Sequence, residues 1–173
     1  MPNTPSPLSG FAFVAEPLER ADALRDDADA LARLWPDARI LVLDQDGTAF
    51  TGEDDQPVAL TGADIGGGPG SAIFLGLRAG QAWFSVEAAN VTQSAPRRLD
   101  LRQAALLWSV ADATAFSYAR GMSYWHSRTR FCGVCGGAVA FARGGLVGRC
   151  AQCSTEHYPR VDPAVIVAVE NQG

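Results

Sequence analysis

Four residues of the chain have the type and spacing for soft-metal chemistry. Cys132-Gly133-Val134-Cys135 and Cys150-Ala151-Gln152-Cys153 contain every cysteine present, with fourteen residues between the two pairs. A Cys-x-x-Cys turn points two thiolates the same way, and two such turns can close a tetrahedral shell around one Zn²⁺. Gly133, Gly136 and Gly137 are expected to give the first turn positive φ and to aim amide N–H groups at the sulfurs. The spacer has Val139, Ala140 and Phe141 before Gly144-Gly145 and Leu146 and Val147 after, which reads as a hairpin. Two disulfides or four ordinary thiols are the other readings. Disulfides need an oxidising compartment, and no secretory signal is visible. Four-thiolate shells leave no open position for catalysis, so the metal's role is in folding, with apparent binding energies of ~10–16 kcal/mol in small structural sites.

A second cluster is chemically sharper. Leu41-Val42-Leu43-Asp44-Gln45-Asp46-Gly47-Thr48 resembles the Asp-x-Asp motif of haloacid-dehalogenase-type phosphatases, in which one Asp attacks phosphorus, the other is a general acid and Mg²⁺ joins them. That chemistry needs a large parallel sheet behind the motif, and hairpin-spaced strands follow instead. Asp-Gly between two short strands is also simply a favoured turn. The Gly66-Gly67-Gly68-Pro69-Gly70 run lacks the strand, helix and Lys of a phosphate loop and reads as a connector.

Several elements must position these groups. Glu16 to Leu34 has apolar residues three and four apart and reads as one helix ending at Pro36, after a first strand at Phe11 to Val14. Arg39 to Leu43 reads as a buried strand, Thr48 to Phe50 as its return, and Pro57 to Leu60 as a further short strand. Ile73 to Leu77 and Ala82 to Val86 form a hairpin. Residues 99–126 read as two helices broken at Ser109-Val110-Ala111-Asp112, a capping-box pattern, with Trp108, Tyr118, Trp125 and His126 as packing residues. Pro163 to Val169 reads as a Val-rich strand. The expected division is an N-terminal α/β domain over 1–96, a helical linker over 97–130, a ribbon over 131–156 and the start of another domain over 157–173.

The chain has 173 residues, 47% hydrophobic and 19% charged, which is globular composition. No apolar run reaches the ~18 residues of a membrane span. A cytoplasmic location is expected, with a loose Met1 to Pro7. The net charge of −5 comes from 14 basic residues, all Arg, and 19 acidic ones. Without Lys there is no Walker-type phosphate lysine and no Schiff-base lysine. Residues 1–96 have 5 Arg and 14 acids, whereas 97–173 have 9 Arg and 5 acids, so an anionic ligand is expected to meet the second half.

Residues 119–169 resemble the NAD(H) pyrophosphatase branch of the Nudix hydrolases. The residues that carry the resemblance are Trp125-His126, Arg130-Phe131-Cys132-Gly133-Val134-Cys135-Gly136, Cys150 to Cys153, and His157-Tyr158-Pro159-Arg160-Val161-Asp162-Pro163-Ala164-Val165-Ile166. More weakly, Phe74-Leu75-Gly76 and Trp83-Phe84 resemble that family's N-terminal domain. The implied fold is α+β: a small degenerate Nudix-like mixed sheet with helices, then helices, a four-cysteine zinc ribbon and the first strand of a Nudix domain. The implied reaction is hydrolysis of NAD(H) to nicotinamide mononucleotide and AMP, and in related members removal of NAD caps from RNA. Also implied are structural Zn²⁺ on Cys132, Cys135, Cys150 and Cys153, catalytic Mg²⁺ or Mn²⁺, and a homodimer. Tyr158 matches the family's Tyr-Pro-Arg tyrosine near the nucleotide, with domain packing as its other role, and Arg102 matches less closely a phosphate-pairing Arg. An acidic substrate contact found in some ribbon spacers falls at about Gly145, which cannot supply it. His157 reads as a surface or hinge residue, since four thiols already fill the shell. The Glu-rich Nudix box belongs downstream of the 164–169 strand and outside these residues. No residue here is assigned to catalysis, and the chain alone is expected to be silent. A non-catalytic zinc-ribbon module for dimerisation or for nucleotide or RNA binding is the alternative.

Overall fold

The computed structural model describes residues 12–162 and 164–170; the expectations for Met1 to Pro7, Phe11 and Pro163 lie outside them. The elements in chain order are α1 (Ala28–Leu34), β1 (Arg39–Leu43), β2 (Ala49–Thr51), β3 (Leu60–Thr61), α2 (Gly62–Ile65), β4 (Ile73–Arg78), β5 (Gln81–Glu87), β6 (Arg97–Leu99), α3 (Leu101–Leu107), α4 (Val110–Arg128), β7 (Val139–Ala142), β8 (Val147–Cys150) and β9 (Glu156–His157). The content is α+β, with a mixed sheet between helices and a separate small sheet for the cysteines.

The first sheet has the order β4-β5-β1-β2-β6, with β3 also paired to β1. β1 and β5 run parallel and the other pairs are antiparallel. Alternation along β1 explains the layers. Ile40 and Val42 join Leu31, Trp35, Phe74 and Phe84 in one cluster, while Leu41 and Leu43 join Trp83, Trp108, Phe116 and Met122 in another. Helix α1 therefore covers one face, and α3 with α4 covers the other. The expected linker over 97–130 is instead part of this core: β6 pairs with β2, and Ala115, Phe116 and Ala119 are fully buried. The break between α3 and α4 lies where the sequence places it, since Ser109 caps α4 by accepting from the Asp112 amide at 3.1 Å.

Three local readings are corrected. The helix expected from Glu16 is confined to Ala28–Leu34 behind the Asp27 cap, after a short 3-10 turn. Ala21 at φ 45 breaks it, and Glu19 pairs with Leu77 as an isolated bridge. Residues 12–14 form a turn, with Phe13 at φ 79, held where Ser117 and Thr114 donate to the carbonyls of Phe13 and Ala15. Residues 164–170 have no strand pairing, and Val165, Ile166, Val167 and Val169 are exposed; apolar β-formers make a strand only when another strand accepts their hydrogen bonds.

The free edge of β4 is covered by side chains from elsewhere. Buried Arg25 donates to the carbonyls of Phe74 at 2.8 Å and Leu75 at 3.4 Å, and burial lowers its pKa from the ordinary guanidinium value. On the same strand the Phe74 amide donates 2.9 Å to the Gly144 carbonyl. The tip of the cysteine hairpin thus satisfies a sheet edge that would otherwise be open to another chain.

Candidate functional site

The four cysteines are brought together as their spacing requires. Their sulfurs all lie within 4.8 Å of one another. Cys132 and Cys153 Sγ are 3.7 Å apart, and Cys135 and Cys150 Sγ are 3.4 Å apart. A tetrahedral ion with Zn–S bonds of about 2.3 Å needs sulfurs roughly 3.8 Å apart, so the donor set fits zinc by number, type and separation.

Each knuckle closes in the same way. The Gly136 amide donates 2.9 Å to the Cys132 carbonyl, and the Ser154 amide donates 3.1 Å to the Cys150 carbonyl. Both fifth residues are left-handed, Gly136 at φ 75 and Ser154 at φ 61. Of the three glycines expected to need positive φ, Gly136 alone has it. Gly137 is small for another reason: a Cβ there would come within 3.1 Å of Cys150 Sγ. Amides aim at the sulfurs, from Val134 to Cys132 and from Gln152 and Cys153 to Cys150, each at 3.4 Å.

These donors set the thiol acidities. The Thr155 hydroxyl and amide, then the Cys135 thiol, pull Cys153 down to about 6. The amides of Cys153 and Gln152 lower Cys150. The Gly137 amide favours the Cys135 thiolate, but the sulfurs of Cys153, Cys150 and Cys132 compete for the charge and leave it pushed up to about 12. A cation among the four is what such crowding calls for.

The spacer is a finger, β7 paired with β8, that reaches back to the first sheet. At its tip, Arg143 bonds Asp26 at 2.9 Å and Asp22 at 3.0 Å. The Gly145 carbonyl accepts from His126 Nε2 at 2.6 Å, and the His126 ring stacks on Phe141 at 3.6 Å and 4°. Burial lowers the His126 pKa, against the Gly145 carbonyl and the Glu87 charge. Gly145, at φ 87, is thus a docking residue. Between finger and sheet lies a cavity of about 1410 Å³.

The substrate residues expected from sequence are placed apart. Tyr158 is exposed and donates to Glu156, which also pairs with Arg149 at 2.7 Å. Arg102 is exposed on α3 and lines a shallow depression of about 470 Å³ with Asp100, Arg120 and Tyr124. No hydrogen bond joins Arg102 to Tyr158 among the described residues. His157, expected at the surface or a hinge, is half-buried on β9, and its Nε2 is buried without a partner. Asp44 and Asp46 build their turn: Asp44 pairs with Arg98 at 2.9 Å and Asp46 accepts from the Thr48 amide at 2.8 Å and hydroxyl at 2.7 Å, which lowers its pKa. Behind them stands one parallel strand pair, not a parallel sheet. Sequence reasoning missed Arg143 and Gly144 as docking residues, because they act on residues far away in the chain, whereas His126, expected as a packing residue, does pack, against Phe141.

Comparison with known proteins gives these geometries a context. Residues 127–158 match the family described as the NADH pyrophosphatase zinc ribbon domain. Over 161 residues the chain is 30% identical to the NAD-capped RNA hydrolase NudC of Mycobacterium tuberculosis (strain H37Rv), covering 88% of this chain and 50% of that protein. It is 36% identical over 91 residues to the NAD-capped RNA hydrolase NudC of Vibrio cholerae, covering 51% of this chain and 32% of that protein. The same-named protein of Photobacterium profundum is 43% identical over 54 residues, 31% of this chain and 20% of that protein. The chain therefore spans about half the length, or less, of these curated relatives.

Proposed function

We propose, from the premise that this chain belongs to the NADH pyrophosphatase branch of the Nudix hydrolases and holds part of such an enzyme, that it supplies the zinc-fastened base of an NAD(H)-hydrolysing protein. The substrate class is NAD(H) or an NAD-capped RNA, the latter on the names of the relatives. The products are nicotinamide mononucleotide and AMP, or the 5′-phosphorylated RNA. The observation that carries the reading is the match over 127–158 around four convergent thiols.

In this reading Cys132, Cys135, Cys150 and Cys153 hold zinc and fix the exit direction of the chain at β9. Tyr158, next along, packs against or contacts the nucleotide, and Arg102 pairs with phosphate. Mg²⁺ or Mn²⁺ supplies water activation and charge neutralisation at the pyrophosphate when bound. Among the described residues the convergent metal-ligating group is the thiol set, which suits zinc and not those hard ions, so no step is routed through them here. The working form is a cytoplasmic homodimer. Residues 157–173 open the catalytic domain, and residues 1–173 alone are catalytically silent.

The test is turnover of NADH by the whole gene product with Mn²⁺, before and after zinc is stripped. Activity that requires zinc, with Tyr158→Ala raising KM, supports the reading. Absence of turnover on NADH, NAD⁺ and NAD-capped RNA defeats it. Nicotinamide mononucleotide released by residues 1–173 alone overturns the silent assignment. A zinc-loaded, inactive whole protein that binds RNA in a salt-dependent way favours the binding-module alternative.

A further inference from the structure

The last turns of α4 and the residues leading into the first knuckle present a surface that neither the thiols nor the docked finger uses. Residues 113–155 contain five Arg and no Asp or Glu. Two of the five are committed, Arg143 to Asp22 and Asp26 and Arg149 to Glu156. Arg120 lies beside the Asp46 turn and sets its charge against that carboxylate. Arg128 and Arg130 remain. Both are exposed, and among the described residues neither side chain is in an ion pair or hydrogen bond. Arg130 lines the large cavity together with Asp26, Asp44, Asp46 and Glu87. Asp26 is bound by Arg143, Asp44 by Arg98 and Asp46 by Thr48, and none of the four pairs with Arg130.

Two aromatic rings flank these charges. Tyr124 is 57% exposed and Phe131 68%, the two most exposed aromatic side chains among the described residues. Arg128 lies one turn beyond Tyr124, with its Cζ 5.3 Å from the ring centroid. That cation–π contact orders both side chains and leaves the guanidinium N–H groups unused. Phe131 is fixed at its backbone by the bridge to Ala138. The order along the chain is therefore ring, cation, cation, ring. At helical rise the seven residues from Tyr124 to Phe131 span about 10 Å, roughly three stacked base steps.

We infer that this strip binds a short stretch of single-stranded RNA, with bases stacked on Tyr124 and Phe131 and phosphates held by Arg128 and Arg130. An open strand offers base faces to the rings, and a duplex hides them. A second copy of this chain fits the strip less well, because two strips face to face bring four unpaired arginines together with no carboxylate to answer them. The choice of RNA rests on the reading proposed above and extends it: the strip holds the body of the RNA, beyond its cap. No covalent step is involved.

The experiment is fluorescence anisotropy of a labelled, uncapped single-stranded RNA of about ten nucleotides, titrated with zinc-loaded residues 1–173. Saturable binding is expected, with a Kd of roughly 1–100 µM at low salt. Tyr124→Ala and Phe131→Ala each weaken it about tenfold. Arg128→Ala combined with Arg130→Ala flattens the plot of log K against log salt by about 1.4, two phosphate contacts at ~0.7 each. Arg33→Ala, which removes an exposed arginine of α1, leaves the Kd unchanged. Zinc content and melting temperature of Tyr124→Ala stay near the parent, since its ring is exposed. If Phe131→Ala sheds zinc, Tyr124→Ala decides alone. Failure to saturate, unchanged affinity in Tyr124→Ala, or equal affinity for a duplex of the same length overturns the strip as a stacking site. Absence of RNA binding, together with a dimer that Tyr124→Ala dissolves, assigns the strip to a second copy instead. Because the RNA is uncapped, failure here leaves the NAD(H) reaction standing, and an inactive whole protein leaves the strip standing.

Discussion

The two sheets of this molecule are held by opposite means. The first rests on side-chain burial: Ile40, Leu43, Leu75, Phe74, Phe84 and Phe116 are at most 1% exposed, and apolar clusters fill both of its faces. In the second, covering 131–157, the buried apolar residues among those described are Cys132, Val147 and Cys150, two of them metal-ligand candidates. A sheet with so little interior cannot offset its own chain entropy and depends on an ion. The difference teaches where each part is vulnerable, and it makes the docked finger the place where one kind of stability is passed to the other.

The hardest test of that contrast is metal removal. Chelation, or Cys150→Ser, is expected to abolish hydrogen-exchange protection across 139–157 while leaving the amides of β1 and β5 protected. Loss of protection in both sheets together would show one cooperative unit, and no change in either would mean that the thiols are not a structural metal site. The converse break is Gly76→Ala. Gly76 has φ 137, and a Cβ would come 2.2 Å from the Glu19 carbonyl oxygen. This backbone cannot yield as a side chain can, so a loss of ~2–4 kcal/mol is expected in the unfolding of the first sheet, with zinc content unchanged. A parent-like melting curve would refute it.

The same contrast governs what could be read from sequence. The thiol cluster was legible because its information is local: pair spacing, small residues and a hairpin-length spacer determine it. Strands β1, β4 and β5 were legible because buried β-formers leave an apolar run. Strand β6 was not. Arg97-Arg98-Leu99 resembles a loop until Asp55 and Asp44, far back in the chain, provide partners for the two arginines. The false helix from Glu16 has the right spacing of Leu18, Leu24 and Leu31, but Leu18 and Leu24 face the core from an irregular segment tied to β4 by Glu19. Periodicity records which residues are apolar and cannot record a bridge to residue 77.

A smaller effect sharpens the link between the halves. Gly144 sits at φ 59, and a Cβ would lie 2.9 Å from Phe74 Cβ. Gly144→Ala is expected to push the finger off β4 at a cost of ~1–3 kcal/mol, read as earlier melting with zinc still bound. If zinc is lost as well, the finger and the knuckles are a single unit and the separation drawn above is too strong.

The smallest effect is a pH dependence at the same junction, and its sign follows from His126. The ring faces the Gly145 carbonyl, Phe141 and Trp125, with the Glu87 carboxylate contributing at longer range. Burial lowers its folded pKa below the unfolded value of about 6.5, so the neutral ring is the one that docks and its Nε2–H serves the carbonyl. With the folded pKa depressed, the unfolded chain binds the proton first. The contribution of His126 is therefore complete above about pH 6.5 and declines as pH falls from there toward the lower folded pKa. Melting temperature should fall as pH drops below about 6.5, and His126→Phe, which keeps a flat ring against Phe141, should remove part of that slope. Acid also loosens thiolate–metal bonds, but it does so equally in both proteins, so the difference between the two slopes isolates the imidazole. Identical slopes would mean that the ring titrates in the folded protein as it does in the unfolded chain, and that the finger is held by Arg143 and the Gly144 carbonyl without it.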